Sequence, residues 1–259
     1  MSRRIHTVLD TRPAASPAFA AILHAADISV LHIPLIRIEV VGMHDDARAV
    51  LAALPRYDGV LLTSMNGVRG FAALLRAASI APELLPPVFV VGPKTAALAR
   101  QEGFSVQALP SSSYGATMAA ELPDVTDRRF LHACGNLARE ETGDGIRERG
   151  GTVDALVVYR TLGPSDADAV RLREAAGRGA YDCAAFFSPS AVRQYTDLLG
   201  ATERPASIIA VIGDTTAAEA NTRGLHVDII PPTQTAEALA DAVVAWEMLG
   251  PAPRRGATS

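Results

Sequence analysis

Lysine is almost missing from this chain. Of 24 basic residues in 259, only Lys94 is a lysine, and arginine supplies the rest. Alanine and arginine are both abundant, which points to a GC-rich coding sequence before it points to a function. Cysteine is nearly as scarce. Cys134 and Cys183 stand alone and the six histidines are scattered, so neither a disulfide framework nor metal-ligand spacing can be assembled. No apolar run approaches the roughly 18–20 residues that span a bilayer. The opening MSRRIHTVLDTRP is basic but has only a short apolar stretch, so it does not read as a signal peptide, and a cytoplasmic address is expected. A net charge of −4 argues against a basic nucleic-acid-binding domain. Phosphate loops are missing too: no GxxxxGK[ST] occurs, and no GxGxxG follows a strand candidate. GxSxG is absent and neither cysteine has a catalytic setting, so nucleophilic catalysis has no support. Asp10 and Asp182 stand near strand ends, yet the acidic cluster and partnered lysine of a phospho-acceptor domain are absent.

What the chain has is a globular composition, 49% hydrophobic and 20% charged, and a duplication. Tyr57–Leu75 (YDGVLLTSMNGVRGFAALL) aligns without gaps to Tyr181–Leu199 (YDCAAFFSPSAVRQYTDLL) with seven identities in nineteen. Chance would give about one or two at ordinary residue frequencies. Val90–Pro110 (VVGPKTAALARQEGFSVQALP) aligns to Val211–Pro231 (VIGDTTAAEANTRGLHVDIIP) with nine identities in twenty-one. Ser111–Leu122 answers Pro232–Val243 more loosely. A period this long is a doubled domain and not a solenoid repeat.

Each copy alternates short apolar strands with helical runs. Strands are expected at Thr7–Asp10, Val30–Pro34, Gly59–Leu62, Val88–Val91 and Ser105–Ala108. The second set is Arg129–Ala133, Thr152–Tyr159, Cys183–Phe187, Ile208–Ile212 and His226–Ile230. Helices fall between, among them Asn66–Ala77 and Ala217–Thr222, the latter closed by Gly224. Such alternation predicts an α/β fold: two doubly wound parallel-sheet lobes, duplicated and flavodoxin- or Rossmann-like, with ligands at the carboxyl ends of the strands and a cleft between lobes. LIRIEV (35–40) and ALVVYRT (155–161) hold equivalent places and could pair as a connector. The tail PAPRRGATS (251–259) has no apolar periodicity and is expected to be disordered.

The repeated turns carry hydroxyls where helices begin: Ser64 and Asn66 in TSMNGV, Thr95 in GPKTA, Ser188 and Ser190 in FSPSAV, Thr215 and Thr216 in GDTTA. Such residues ordinarily cap helices. Helix N-termini also attract anions, so several of them would suit a ligand with many negative groups. Arg12 in DTRP and Arg139 in GNLARE lie near strand ends and could neutralise carboxylates, as could Arg69 and Arg193 at matched helix positions. Tyr159 in VVYRT is one of only five tyrosines; a half-buried strand aromatic with a surface hydroxyl is the ordinary reading of such a residue.

DTRP, YDGVLLTSMNGV, VVGPKTA, CGNLARE, VVYRT, FFSPSAV, VIGDTTA and PTQTAEAL, in this order, resemble the uroporphyrinogen-III synthase family over about residues 8–245. The departures are Asp214, where a proline is common, and the tail, which has no family counterpart. The resemblance implies two lobes interleaved in sequence: 1–34 with 166–259, and 40–154, joined by a two-stranded ladder of 35–39 and 155–165. It implies conversion of hydroxymethylbilane, an octacarboxylate, to uroporphyrinogen III by loss of water and inversion of ring D, without cofactor or metal. It makes Tyr159 the donor to the leaving hydroxyl. Thr95 and Thr216 become binders of substrate carboxylates, with Arg12, Ser64, Asn66, Arg139, Ser188, Ser190 and Thr215 beside them. The expected protein is a monomer that engages no nucleic acid and no membrane; a transient contact with the upstream bilane synthase is left open. Two other readings stand against it. A two-lobed solute-binding module would call for export, and a nucleotide-dependent transferase would call for the glycine fingerprint.

Overall fold

The computed structural model describes residues 4–107, 115–122, 124–138, 141–200, 206 and 208–249. Arg139 and the tail 251–259 therefore lie outside the described residues. The chain divides into two compact units, Met1–Arg37 with Leu162–Ser259, and Ile38–Thr161. The first unit opens with β1 (Thr7–Asp10), α1 (Pro17–His24) and β2 (Ser29–His32), and β3 (Arg37–Val40) leads out of it. The second unit holds α2 (Asp45–Ala52), β4 (Gly59–Leu62), α3 (Met65–Ala77), β5 (Val88–Val90), α4 (Pro93–Gln101) and β6 (Val106–Gln107). It continues with α5 (Gly115–Glu121), β7 (Arg129–Gly135), α6 (Glu141–Glu148) and β8 (Thr152–Leu162). The chain then returns to the first unit through α7 (Asp166–Gly177), β9 (Cys183–Phe186), α8 (Pro189–Leu199), β10 (Ile208–Val211), α9 (Asp214–Thr222) and α10 (Ala236–Leu249).

The first unit has a four-stranded sheet in the order β10-β9-β1-β2, and the second a six-stranded sheet in the order β3-β8-β7-β4-β5-β6. β1 pairs in parallel with both β2 and β9, with Val8 opposite Val30 and Cys183. β7 pairs in parallel with both β8 and β4, with Phe130 opposite Val153 and Gly59. The aligned segments Gly59–Leu62 and Cys183–Phe186 thus hold the same inner place in the two sheets. The strand beside the second of them comes from the start of the chain, so Thr7–Asp10 shares a sheet with Cys183–Phe186 and Ile208–Val211.

Hydrophobic pattern explains why these strands are internal. All four residues of β4, β9 and β10 are buried, as a parallel sheet covered on both faces requires. Side chains alternate between two cores. Ala184, Phe186, Ile209 and Val211 join Leu9, Tyr195 and Leu199 on one face, whereas Cys183, Ala185, Ile208 and Ala210 join Val8, Phe19 and Leu239 on the other. The second unit repeats this, with Val60 and Leu62 facing Phe71 and Leu131, and Leu61 facing Phe89, Phe130 and Ile146. Each large apolar side chain so buried contributes roughly 1.5–3 kcal/mol.

Two stretches differ from the sequence pattern. His226–Ile230, expected as a strand, makes a single bridge between Ile229 and Ala210. The Asp228 carboxylate accepts the Ile209 N–H at 2.9 Å, a donor that a longer ladder would need, and two prolines follow at 231 and 232. The stretch 155–165, expected as a connector, is in its first part an inner strand: Ala155, Leu156, Val157 and Tyr159 all have partners on β7. The pairing of β8 with β3 on its other side is joined by a bond from Val41 N–H to the Val158 carbonyl at 3.0 Å. Helix α9 starts at Asp214, three residues before the expected Ala217, and Gly224 follows its C-cap with φ 72°.

Candidate functional site

Three carboxyl-end features of the second unit meet at Tyr159. Gly135, the last residue of β7, stands opposite Tyr159 on β8. A Cβ at Gly135 would lie 2.5 Å from the Tyr159 ring carbon that bears the hydroxyl, so the phenol occupies the space a side chain would fill. Asn136 ties the adjoining turn to β8, its N–H donating to the Tyr159 carbonyl at 3.2 Å and its side-chain oxygen accepting Thr161 N–H at 2.7 Å. Ser64, the N-cap of α3, accepts the Gly67 N–H at 3.0 Å and shares a hydrogen bond with the Tyr159 hydroxyl at 3.3 Å. α3 can approach β8 closely because residue 70 is glycine: a Cβ there would collide with the Val158 carbonyl oxygen.

The other helix starts fall into two kinds. Ser188 caps α8 by accepting the Ala191 N–H at 3.3 Å, as Ser64 caps α3. α4 and α9 begin after Gly92 and Gly213, which offer no side-chain acceptor. The Thr216 N–H donates to the Gly213 carbonyl at 3.0 Å and Pro93 has no N–H, while first-turn groups such as the N–H of Thr95 and Thr215 suit an external anion. Thr95 and Thr216 sit in those first turns, 7% and 2% exposed, and neither hydroxyl has a hydrogen-bond partner among the described residues. A buried hydroxyl of this kind calls for a reason. Thr215 and Lys94 are exposed beside them, and Asn66 is half-buried in the first turn of α3. Ser190 accepts a bond from Arg193, which also pairs with Glu219 at 2.9 Å, while Arg69 at the matched position is exposed.

Arg12, expected to neutralise a substrate carboxylate, is already engaged. Its guanidinium forks onto the buried Asp10 carboxylate at 2.6 and 2.9 Å. It also lies over the rings of Phe19 and Phe187, 4.5 and 4.3 Å from their centroids. At the place of Asp10 the second unit has His132, one strand position after Leu131 as Asp10 follows Leu9. His132 shares a hydrogen bond with Thr63 at 3.2 Å, and burial pushes its pKa down to about 4, so it is neutral at pH 7. Tyr57 donates to Asp154 at 2.8 Å, and burial followed by that bond pushes its pKa up to about 12. Burial likewise raises the thiol of Cys134, to about 11, and that of Cys183, which keeps both as unreactive thiols. Thr63 and Gly135 lie within the motifs TSMNGV and CGNLARE without standing out there, and His132 lies outside the motifs. A glycine ending an apolar strand and a lone ionisable residue inside one (RFLHACG) were the available signals.

The sequence model described as uroporphyrinogen-III synthase HemD matches residues 17–241. A uroporphyrinogen-III synthase of Chlorobaculum parvum is 31% identical over 234 residues, 87% of this chain and 92% of that protein. The chain belongs to the uroporphyrinogen-III synthase family. A chloroplastic uroporphyrinogen-III synthase of Oryza sativa is 28% identical, over 82% of this chain and 71% of its own length. Among solved structures, a mutant uroporphyrinogen III synthase of Thermus thermophilus superposes with TM-score 0.67 at 21% identity, covering 91% of this chain and 96% of that one. A uroporphyrinogen-III synthetase of Helicobacter pylori does so with TM-score 0.63 at 14% identity, over 93% and 98% of the two chains. These likenesses support the α/β fold with parallel sheets. Membership makes this chain an enzyme of tetrapyrrole synthesis, a cyclising lyase. Among the described residues no helix is long and apolar enough to cross a membrane, and no group of three potential ligands could hold a metal ion.

Proposed function

We propose that the chain closes hydroxymethylbilane to uroporphyrinogen III in the cytoplasm, as a monomer without metal or nucleotide, and that Tyr159 is its general acid. The substrate is a linear tetrapyrrole with eight carboxylates and a terminal hydroxymethyl group. Its electron-rich pyrrole can expel that hydroxyl as water once the oxygen receives a proton, so one well-placed donor suffices. Ring D then attacks through a spiro intermediate, inverts, and the ring closes. The chief demand on the protein is to fold the bilane so that this attack wins, which is catalysis by positioning.

The observation that carries the reading is the setting of Tyr159. Its hydroxyl stands at the carboxyl end of a parallel sheet, packed on Gly135 and bonded by the α3 N-cap. The buried hydroxyls of Thr95 and Thr216, at helix starts without a side-chain cap, suit substrate carboxylates, as does Thr215 beside Thr216. Asn66 at the start of α3 and Ser188 and Ser190 at that of α8 are further candidates. Arg139 remains part of the proposal as a residue of the GNLARE motif. Arg12 takes a structural part first, because its charge serves Asp10. Uncatalysed closure of the bilane gives the symmetric type I ring. The purified protein should give mainly type III, read by chromatography of the oxidised porphyrins, and type I alone would overturn the assignment.

A further inference from the structure

We infer that Ser64 is a positioning residue for Tyr159, one that keeps the phenolic proton available for the leaving hydroxyl. The inference rests on Tyr159 being the acid. Three groups form a directed chain: Gly67 N–H donates to Ser64 Oγ at 3.0 Å, and Ser64 Oγ–H donates to the Tyr159 oxygen at 3.3 Å. A hydroxyl has one proton and can accept as well as donate. The shared proton is assigned to Ser64: with the backbone amide on one lone pair of Oγ and the Ser64 proton on the phenol oxygen, the phenol enters this chain as acceptor. Its own proton is left over. Bonds in such a series polarise one another, and the amide that starts this one is a first-turn donor at the positive end of α3.

The surroundings leave the phenol little choice of position. Gly135 lets the ring lie where any side chain would strike it, and Gly70 lets α3 rest on the Val158 carbonyl, one residue from Tyr159. Shifting α3 away would break the bond from Ser64 without touching the tyrosine. The proton balance is simple. Tyr159 gives its proton as the C–O bond breaks and water leaves. The phenolate recovers one when the carbon at which ring closure occurs loses its hydrogen, so the net change is loss of one water.

The test separates positioning from plain substrate binding. Ser64→Gly keeps most of the helix start, since glycine is itself a tolerated N-cap, but removes the donor. Expected is a fall in kcat of about fivefold, the scale of one hydrogen bond, with KM little changed and with Ser64→Thr restoring the rate. In a Tyr159→Phe background Ser64→Gly should have no further effect on kcat. A rise in KM with kcat unchanged, or an effect that persists undiminished in Tyr159→Phe, would overturn the inference. If Tyr159→Phe alone leaves kcat untouched, the assignment of the acid fails instead. Circular dichroism and thermal melts of each variant show that the protein compared is folded.

Discussion

The two units share the order of four strands but spend their polar groups differently. In the first unit the groups near the strand ends are paired inward: Asp10 with Arg12, Arg193 with Glu219 and Ser190, and the Tyr181 hydroxyl with that of Tyr195. In the second unit the places matched to Asp10 and Arg193 hold a neutral His132 on Thr63 and an exposed Arg69. Tyr57, matched to Tyr181, bonds Asp154, and Ser64, matched to Ser188, serves Tyr159. Position 70 shows the same divergence. Glycine there seats α3 on β8, whereas its counterpart Gln194 packs against Gly163 through its side chain. Duplication supplied two scaffolds with hydroxyl-bearing helix starts. One unit closed its polar groups into internal pairs, and the other kept the hydroxyl chain of Ser64 and Tyr159, which is where we place the acid.

The largest effect should come from opening the inward pair. Arg12→Met strips the partner from a carboxylate that is 1% exposed, and removing one member of a buried pair typically costs about 3–5 kcal/mol. Urea unfolding should show a loss of that order. A loss below about 1 kcal/mol would mean that the backbone bond from Arg12 N–H satisfies Asp10 alone, and that the pair is not what distinguishes the first unit.

His132 is the matched test in the second unit. Its pKa is about 4 in the folded chain against 6.5 in the unfolded one, so between these values the unfolded chain binds the extra proton. Stability therefore rises with pH across that window and falls on acidification, by up to about 3 kcal/mol. His132→Gln should flatten this slope between pH 4 and 6.5 in denaturation curves. An unchanged slope would show that the histidine is solvated and that the two units do not differ as described.

Helix seating comes next. Gly70→Ala should destabilise by about 2 kcal/mol, the usual cost of forcing atoms into a packed contact, and should lower kcat by loosening Ser64 from Tyr159. Gln194→Ala, its counterpart, should change stability by less and leave the Ser64–Tyr159 bond intact. Equal effects on kcat from both would erase the distinction between the units. The smallest effects should be those of the two buried threonine hydroxyls. Thr216→Val and Thr95→Val keep shape and remove only the hydroxyl. Each should raise KM by about fivefold while stability holds or improves by about 1 kcal/mol. A variant that loses stability and keeps its KM would assign that hydroxyl to the fold.

Much of the architecture was legible in the sequence because burial on both faces leaves a plain signature. VLLT, CAAFF and IIAVI could hardly be anything but inner parallel strands, and the internal alignment paired them correctly. Two features were not legible. The short bridge at Ile229 depends on where the Asp228 side chain turns, which hydrophobic pattern does not encode. Asp10 is only two residues from Arg12, but sequence does not show that the two side chains turn toward each other, and the ring of Phe187 that covers the guanidinium is 175 positions away. The motif VVYRT singled out Tyr159, but Gly135 and Ser64 become its neighbours only when β7, α3 and β8 are packed together. Serine at an N-cap reads the same from sequence whether it merely caps or also donates to a tyrosine.

The central claim is that chemistry rests on Tyr159 while folding of the bilane rests on the carboxylate-binding helix starts. The direct measurement is the rate and isomer pattern of Tyr159→Phe at saturating hydroxymethylbilane, corrected for uncatalysed closure. The change removes one hydroxyl and little packing. On this account kcat falls by about tenfold or more, toward the 10²–10⁴ scale of general-acid effects, and the enzymatic product stays type III. An undiminished kcat, or an enzymatic product that turns to type I, would contradict it.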